Sequence, residues 1–385
     1  MDFKFEADIV RSLGKIIKSG HLKRGSKPVY WCEECGSALA EAEVEYADKE
    51  SKAIDFLFPI DSSQIKKIFN NVSSENTFIA SWTTTPWTIP SNKAICFNPK
   101  FKYELLELKS KGKILNLVIC SDLIAATLDR YEIENYSKLG NVTGNKLSGL
   151  VCEHPFLDQK SLLISGDHVT KEMGTGFVHT APAHGLEDYD ACKELEIDLI
   201  SPVNGDGKFN EDIPYVGGQN LRDANETVIG LLEQKGFLLA NKKYFHSVST
   251  CWRHKIPLFF RATPQWFISM DKSDLLKESL NAIEEINWLP DWGKSRISAM
   301  MEDRPDWCIS RQRTWGVPIP LVIHKDTGEP HKDSVKIIDK VAEKIETEGV
   351  EAWFSEDLEN ILEKDCEQYE NCLLYTSDAA DDQLG

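Results

Sequence analysis

Apolar residues change their spacing several times along this chain, and each change marks an element. Ile9, Leu13, Ile16 and Ile17 recur at helical intervals, which predicts an N-terminal helix closed at Gly20. The stretch KPVYWCEECGSALAEAEVEYAD reads as a short strand, a knuckle and a second strand. In that second strand Ala42, Val44 and Tyr46 should share one face, with Glu41, Glu43 and Glu45 on the other. From Thr77 to Val178 strand signals repeat in TFIASWTTT, AICFN, KYELLEL, KILNLVIC, SLLISGDHV and GTGFVHTAP, and a helix around SDLIAATLDRY interrupts them. Short strands at this density predict a β-rich domain of barrel or sandwich type. Helical spacing returns in LEDYDACKELE and DANETVIGLLEQKG. A return strand region, KKYFHSVSTCWRHKIPLFFRATPQWFISM, then leads into the helical SDLLKESLNAIEEI. From about Asn287 helix and strand alternate through KSRISAMMED, WCISRQ, PIPLVIHK and SVKIIDKVAEKIETEG, as in an α/β layer. The expected fold class is α/β overall, with WCISRQRTWGVPIP entering a parallel sheet whose apolar faces lack partners. No internal repeat is present.

A length of 385 residues allows two or three domains. The formal net charge of −18 argues against a broadly basic nucleic-acid-binding surface. Nucleic acid would have to be held by local patches such as WRHK near Trp252 or SRQR near Arg311. No apolar run is long enough to span a membrane, and the first twenty residues lack the apolar core of a signal peptide. A cytoplasmic protein is expected. Its ten cysteines are then reduced thiols or metal ligands rather than disulfides.

Three constellations carry candidate chemistry. Cys32-x-x-Cys35 and Cys251-x-x-His254 are two knuckles that can together offer a tetrahedral Cys3His set. Four protein ligands leave no open position, so the expected metal is a structural zinc ion. The segment GTGFVHTAPAHGLEDYD places His179, His184 and Asp188 beside glycines and prolines. A metal hydrolase built on those three residues is an alternative, but His-x4-His followed by Asp is no established ligand spacing. In SWTTTPWTIPSN, Thr83, Thr84 and Thr85 end a strand and Pro86 breaks it. Their hydroxyls, with Thr88 and Asn92, would form a polar floor walled by Trp87, suited to an ester-linked nucleotide.

The segments WTTTPWTIPSN, GTGFVHTAPAHGLEDY, CWRHKIPLFFRATPQWF and RPDWCISRQRTWGVPIP closely resemble isoleucyl-tRNA synthetase of the bacterial type, over the chain from its start to about Tyr369. Valyl and leucyl relatives carry Thr-Thr-Arg-Pro where this chain has Thr-Thr-Thr-Pro-Trp. The resemblance implies a β-rich, barrel-like editing domain inserted into a Rossmann-type catalytic core that is only partly present. It implies the following division: 1–47 an entry segment with the first half of the zinc knuckle, 48–243 the editing domain, 244–290 a return segment with the second half, and 291–370 the incomplete start of the second half of the core. Residues 371–385, from the stretch CLLYTSDAADD, resemble one reading frame of a sequencing-library adapter and are expected to be a non-native tail.

The activity implied is hydrolysis of valine wrongly esterified to the isoleucine tRNA. By resemblance Thr83, Thr84, Thr85 and Asn92 would hold the terminal adenosine and the ester, and Thr88 would help set selectivity. His179 would limit side-chain size, and Asp188 would anchor the substrate ammonium. The implied partners are the 3′ end of tRNA(Ile) and the valine or isoleucine ester, with ATP and Mg2+ used only by the full-length enzyme, a monomer in this family. The His-Ile-Gly-His, Lys-Met-Ser-Lys-Ser and Asp-Val-Trp-Phe-Asp-Ser-Gly signatures are missing, so the chain is expected to lack ligase activity by itself. His254 stands where some relatives carry cysteine. A non-catalytic fragment that binds tRNA or zinc is the other reading.

Overall fold

The computed structural model describes residues 2–69, 76–110, 112–195, 199, 201–270, 272–302, 304, 306–313, 316–362 and 366–376. The chain divides into two compact units of mixed α/β character. The larger comprises Lys27–Glu34 and Glu45–Ala262, and the smaller Met1–Ser26, Cys35–Val44 and Thr263–Gly385.

The larger unit is built on two sheets. One runs in the order Leu238–Cys251, Val44–Pro59, Thr77–Thr83, Lys113–Cys120, Lys102–Ser110, Tyr136–Thr143. The other runs Phe177–Thr180, Ala94–Phe97, Lys160–Ser165, Val151–Glu153. Leu57, Ala80, Leu106, Leu117 and Ile119 bury one face of the first sheet against the helix Ile124–Arg130 through Ile124 and Leu128. Thr83 pairs with Ile54 and Trp82 with Asp55, so the threonine run emerges from a strand buried in the middle of the sheet. His179 lies opposite Ile95 in the second sheet. These two placements carry the candidate site.

The strand Val44–Pro59 differs from its expected form. Glu41–Glu43 is a 3-10 turn, so the alternation predicted there fails: Glu43 is buried and Tyr46 is 65% exposed. The cause is capping. The Glu43 carboxylate accepts from the Ala40 amide at 2.7 Å and lies 3.4 Å from the Arg311 guanidinium, which stabilises a charge that would otherwise be costly to bury.

In the smaller unit the helix Phe3–Lys18 is capped by Asp2, whose side chain accepts from the Lys4 amide. Its buried face is Ala7, Val10 and Leu13, with Ile9, Ile16 and Ile17 at the margin. That face packs with Ile337, Ile338, Val341 and Ile345 of the helix Ser334–Glu348 in one core. A Cβ at Gly14 would stand 3.0 Å from Ile338 Cγ2, so glycine permits the approach of the two helices. The last third departs from the expected parallel sheet. Its described strands are two or three residues long and pair antiparallel: Trp307–Cys308 with Phe267 and Ile268, and Val322–His324 with Tyr369–Asn371. Pro318 and Pro320 lack the amide protons a longer ladder would need. The apolar faces expected to lack partners are covered, since Ile309, Val317, Ile319 and Leu321 are buried in the same core as the N-terminal helix. Cys372 and Leu374 also bond there, their backbones reaching Leu321 and Ile319. Residues 377–385 of the predicted tail lie outside the described residues.

Candidate functional site

Pro86 ends the strand Thr77–Thr83 because it has no amide proton, and Thr85 before it sits at φ −125° and ψ 67°, outside the helical region. The chain then turns through a 3-10 helix, Pro86–Ser91, every residue of which is buried. The three threonines are graded from inside to outside: Thr83 is buried, Thr84 half-buried and Thr85 exposed. The Thr83 hydroxyl accepts from the Thr85 amide at 3.0 Å and lies 3.2 Å from the Thr85 hydroxyl. The Trp87 amide donates to Asn225 Oδ1 at 2.9 Å, which ties the turn to the helix Leu221–Lys235.

His179 meets this turn directly. Its Nε2 lies 3.0 Å from Thr88 Oγ1 and its Nδ1 lies 2.8 Å from Asn92 Nδ2. Burial, with the nearby His154 and His184, lowers its pKa to about 3, and a hydrogen bond with Thr88 opposes this only weakly. His179 is therefore a neutral imidazole at physiological pH, unsuited to act as a base because both ring nitrogens are occupied.

Asp188 stands in the first turn of the helix Leu186–Cys192, and its Oδ2 accepts from the Ala181 amide at 2.8 Å. Thr180, between His179 and Ala181, accepts from the Lys93 amide, so the carboxylate is anchored to the segment that carries His179. Burial raises the Asp188 pKa to about 6, the Ala181 hydrogen bond opposes the rise, and the charge of Glu187 adds to it. A cation placed against this carboxylate would relieve the cost of its ionisation.

One glycine of the preceding segment is required by close approach. Gly176 has φ +86°, and a Cβ there would fall 2.2 Å from the Cys120 Cβ. The Gly174 carbonyl accepts from Thr127 Oγ1 and from Arg130, whose guanidinium makes two 2.7 Å bonds to the Asp55 carboxylate.

Asn92 lies behind the threonine turn. It is fully buried, and its side chain bonds Ala94 O, His179 Nδ1 and Ser161 Oγ. The three-residue alternative, His179, His184 and Asp188, offers no imidazole lone pair to a metal. His184 Nδ1 bonds the Phe260 carbonyl at 2.9 Å and its Nε2 bonds Ser91 Oγ at 3.1 Å. Sequence reasoning missed His154 and Ser161. His154 Nε2 bonds the Ile89 carbonyl at 2.9 Å, and its Nδ1 accepts from the Phe156 and Leu157 amides. The bonds that tie these two residues to the turn, to Ile89 and to Asn92, reach partners more than sixty positions away and leave no local signal.

Cys32, Cys35, Cys251 and His254 do converge, with their ligand atoms all within 4.8 Å of one another. Cys35 follows Cys32 through the turn at 33–36. His254 Nδ1 lies 3.6 Å from Cys32 Sγ and 3.9 Å from Cys251 Sγ. Ligands around a tetrahedral zinc ion stand about 3.5–3.8 Å apart, given its usual bond lengths, so the set fits that ion. Among the described residues it is the one group of three or more such side chains with this convergence.

The family profile described as tRNA synthetases class I (I, L, M and V) matches residues 1–374. An isoleucine–tRNA ligase of Coxiella burnetii is 48% identical over 372 residues, 96% of this chain and 40% of that protein. One from Colwellia psychrerythraea is 47% identical, covering 96% of this chain and 39% of that protein. One from Francisella tularensis is 49% identical, covering 93% and 38%. The chain thus spans about 40% of the length of the curated relatives it matches. Among solved structures, a crystal structure of GlLeuRS-CP1 superposes with a TM-score of 0.40 at 14% identity, over 51% of this chain and 99% of that one. The editing domain of the cytosolic leucyl-tRNA synthetase of P. falciparum does so with a TM-score of 0.39 at 10% identity, over 50% and 99%.

Proposed function

This chain belongs to the class I tRNA synthetases of the I, L, M and V group, and on that premise we propose that it is part of an isoleucine–tRNA ligase whose larger unit hydrolyses valine wrongly attached to tRNA(Ile). The full-length enzyme would join isoleucine to its tRNA with ATP and Mg2+. A single methylene gives a pocket little binding energy with which to tell the two amino acids apart, a limit for which the isoleucine enzyme is the customary example. A second pocket, small enough for valine and too small for isoleucine, resolves the problem.

The roles follow from the groups available. Thr83, Thr84 and Thr85 hold the terminal adenosine and the ester. Thr88 and His179 form the wall that limits the side chain, and Asn92 orients that wall from behind. Asp188 binds the substrate ammonium and so places the ester for attack by water. Asp188 is not the general base, because holding a cation favours its charged form. A covalent acyl-enzyme is not proposed, since His179 has no free nitrogen to activate a hydroxyl. The Cys3His set holds a structural zinc ion. The protein acts in the cytoplasm, and no helix among the described residues is long and apolar enough to cross a membrane.

The observation that carries this reading is the neutral, fully hydrogen-bonded His179 set against the threonine turn, with Asp188 anchored two residues further along the same segment. The test is a steady-state deacylation assay with valyl- and isoleucyl-tRNA(Ile). Valyl-tRNA should be hydrolysed preferentially, and Asp188→Ala should abolish turnover while the fold is kept. Retention of tRNA without turnover in the unaltered chain would instead identify a binding module.

A further inference from the structure

The hydrogen bonds around His179 share one direction, and their donors can be assigned in turn. The Ala94 carbonyl can only accept, so the Asn92 atom 2.8 Å from it is the amide nitrogen. That nitrogen also donates to His179 Nδ1 at 2.8 Å, so Nδ1 carries no proton. The ring's remaining proton is on Nε2 and is donated to Thr88 Oγ1 at 3.0 Å. Thr88 passes its own hydroxyl proton to the Thr85 carbonyl at 2.9 Å. The sequence of donors starts at Ser161, whose hydroxyl donates to Asn92 Oδ1 at 2.5 Å. Ser161 and Asn92 are both fully buried, so no water competes for these groups.

With both nitrogens committed, His179 has only its carbon edges left to offer. Its backbone is held as well, the amide donating to Ser81 Oγ at 3.0 Å, and the ring meets Phe56 edge-on at 6.1 Å. A ring held in this way presents volume and no hydrogen-bonding group. Were Nδ1 to take the proton instead, Nε2 would become an acceptor, and the Thr88 hydroxyl would turn away from Thr85 towards the histidine. The wall would then change both its polarity and the set of groups offered at the threonine bend.

We propose that Ser161 is a positioning residue of this site: it holds the Asn92 amide with its N–H towards His179, fixes that histidine as the Nε2–H tautomer, and so makes the wall sort substrates by volume alone. The tautomer assignment stands on the hydrogen bonds, and the consequence for substrates rests on the deacylase reading above. Removing the Ser161 hydroxyl leaves a buried amide oxygen without a donor, so that the Asn92 amide is held only through its nitrogen and its orientation is weakened.

The test uses the full chain labelled with 15N-histidine. Two-bond nitrogen–proton correlations report which ring nitrogen is protonated, and comparison with His179→Gln assigns one signal set among the nine histidines. The unaltered protein should show His179 as the Nε2–H form from pH 5 to pH 8. Ser161→Ala should add the Nδ1–H signature and reduce the valyl-to-isoleucyl deacylation ratio by about fivefold to tenfold, the worth of one lost hydrogen bond. Ser161→Thr should restore both. Asn92→Asp is the second variant: a carboxylate has no N–H to give, so Nδ1 must take the proton. An unaltered protein whose His179 is protonated on Nδ1 overturns the proposal, as does a Ser161→Ala spectrum identical to the parent. If no variant and no parent hydrolyses either ester, the deacylase reading falls, and the nitrogen spectra alone still decide whether Ser161 sets the tautomer.

Discussion

At the scale of single residues, Asp188 has the most direct consequence. Burial raises its pKa to about 6, so it keeps its proton up to that pH and is ionised above it. Only the ionised form attracts an ammonium group, so deacylation should fall as pH drops through about 6. It should fall again where the substrate amine loses its proton, at about pH 8. A bell-shaped kcat/KM profile checks this, and Asp188→Asn should remove the acid limb together with most of the rate. Gly176 makes a structural prediction. Alanine there would need both a left-handed backbone and space that Cys120 occupies, so Gly176→Ala should cost about 2–3 kcal/mol in denaturant unfolding. The candidate residues were legible in the sequence as types, but their division of labour was not. Asn92 read as part of a polar floor beside a broken strand, and only the resemblance gave it a ligand to hold. Its complete burial follows from Ser161 and His179, which reach it from other strands, and from the nearby Ala94 carbonyl.

At the scale of elements, the glycine bend before His179 is held by the helix Ile124–Arg130. Arg130 bridges the buried Asp55 carboxylate and the Gly174 carbonyl, and the Tyr131 hydroxyl donates to the same carboxylate at 3.0 Å. Arg130→Met should leave Asp55 as a buried charge with only the tyrosine to stabilise it. The expected loss is about 2–3 kcal/mol, below the full value for a buried pair because Arg130 is partly exposed. Double substitution with Asp55→Leu should recover part of that stability, and thermal or denaturant unfolding measures both. Strands from Thr77 to Val178 were legible because they are short apolar runs, buried over most of their length and set off by turn residues. The strand Val44–Pro59 was not, since its outer half, Glu45 to Lys52, is polar on both faces. It is a strand because Leu238–Cys251 lies beside it in the sheet, and a partner so distant in sequence leaves no local trace.

At the scale of the whole molecule, the two knuckles join the early and late parts of the chain by proximity rather than by sequence, and metal should stabilise that closure. Purified protein is expected to hold one equivalent of zinc. A strong chelator should lower its melting temperature, and re-addition of zinc should restore it. Cys251→Ser should abolish the effect. A melting temperature indifferent to chelator and to that substitution would remove the metal from the account. The α/β character and the density of strands were legible from spacing alone. The antiparallel pairing of the last third was not, because the same short apolar runs suit either orientation and the prolines between them decide. The central claim is that the wall formed by His179 and Thr88 admits the smaller amino acid and shuts out the larger one. Hydrolysis of valyl- and isoleucyl-tRNA(Ile) by the parent chain and by His179→Ala tests it most directly. The parent should cleave the valyl ester and spare the isoleucyl ester, and the alanine variant should cleave both; an alanine variant that still spares the isoleucyl ester while hydrolysing the valyl one would contradict the claim.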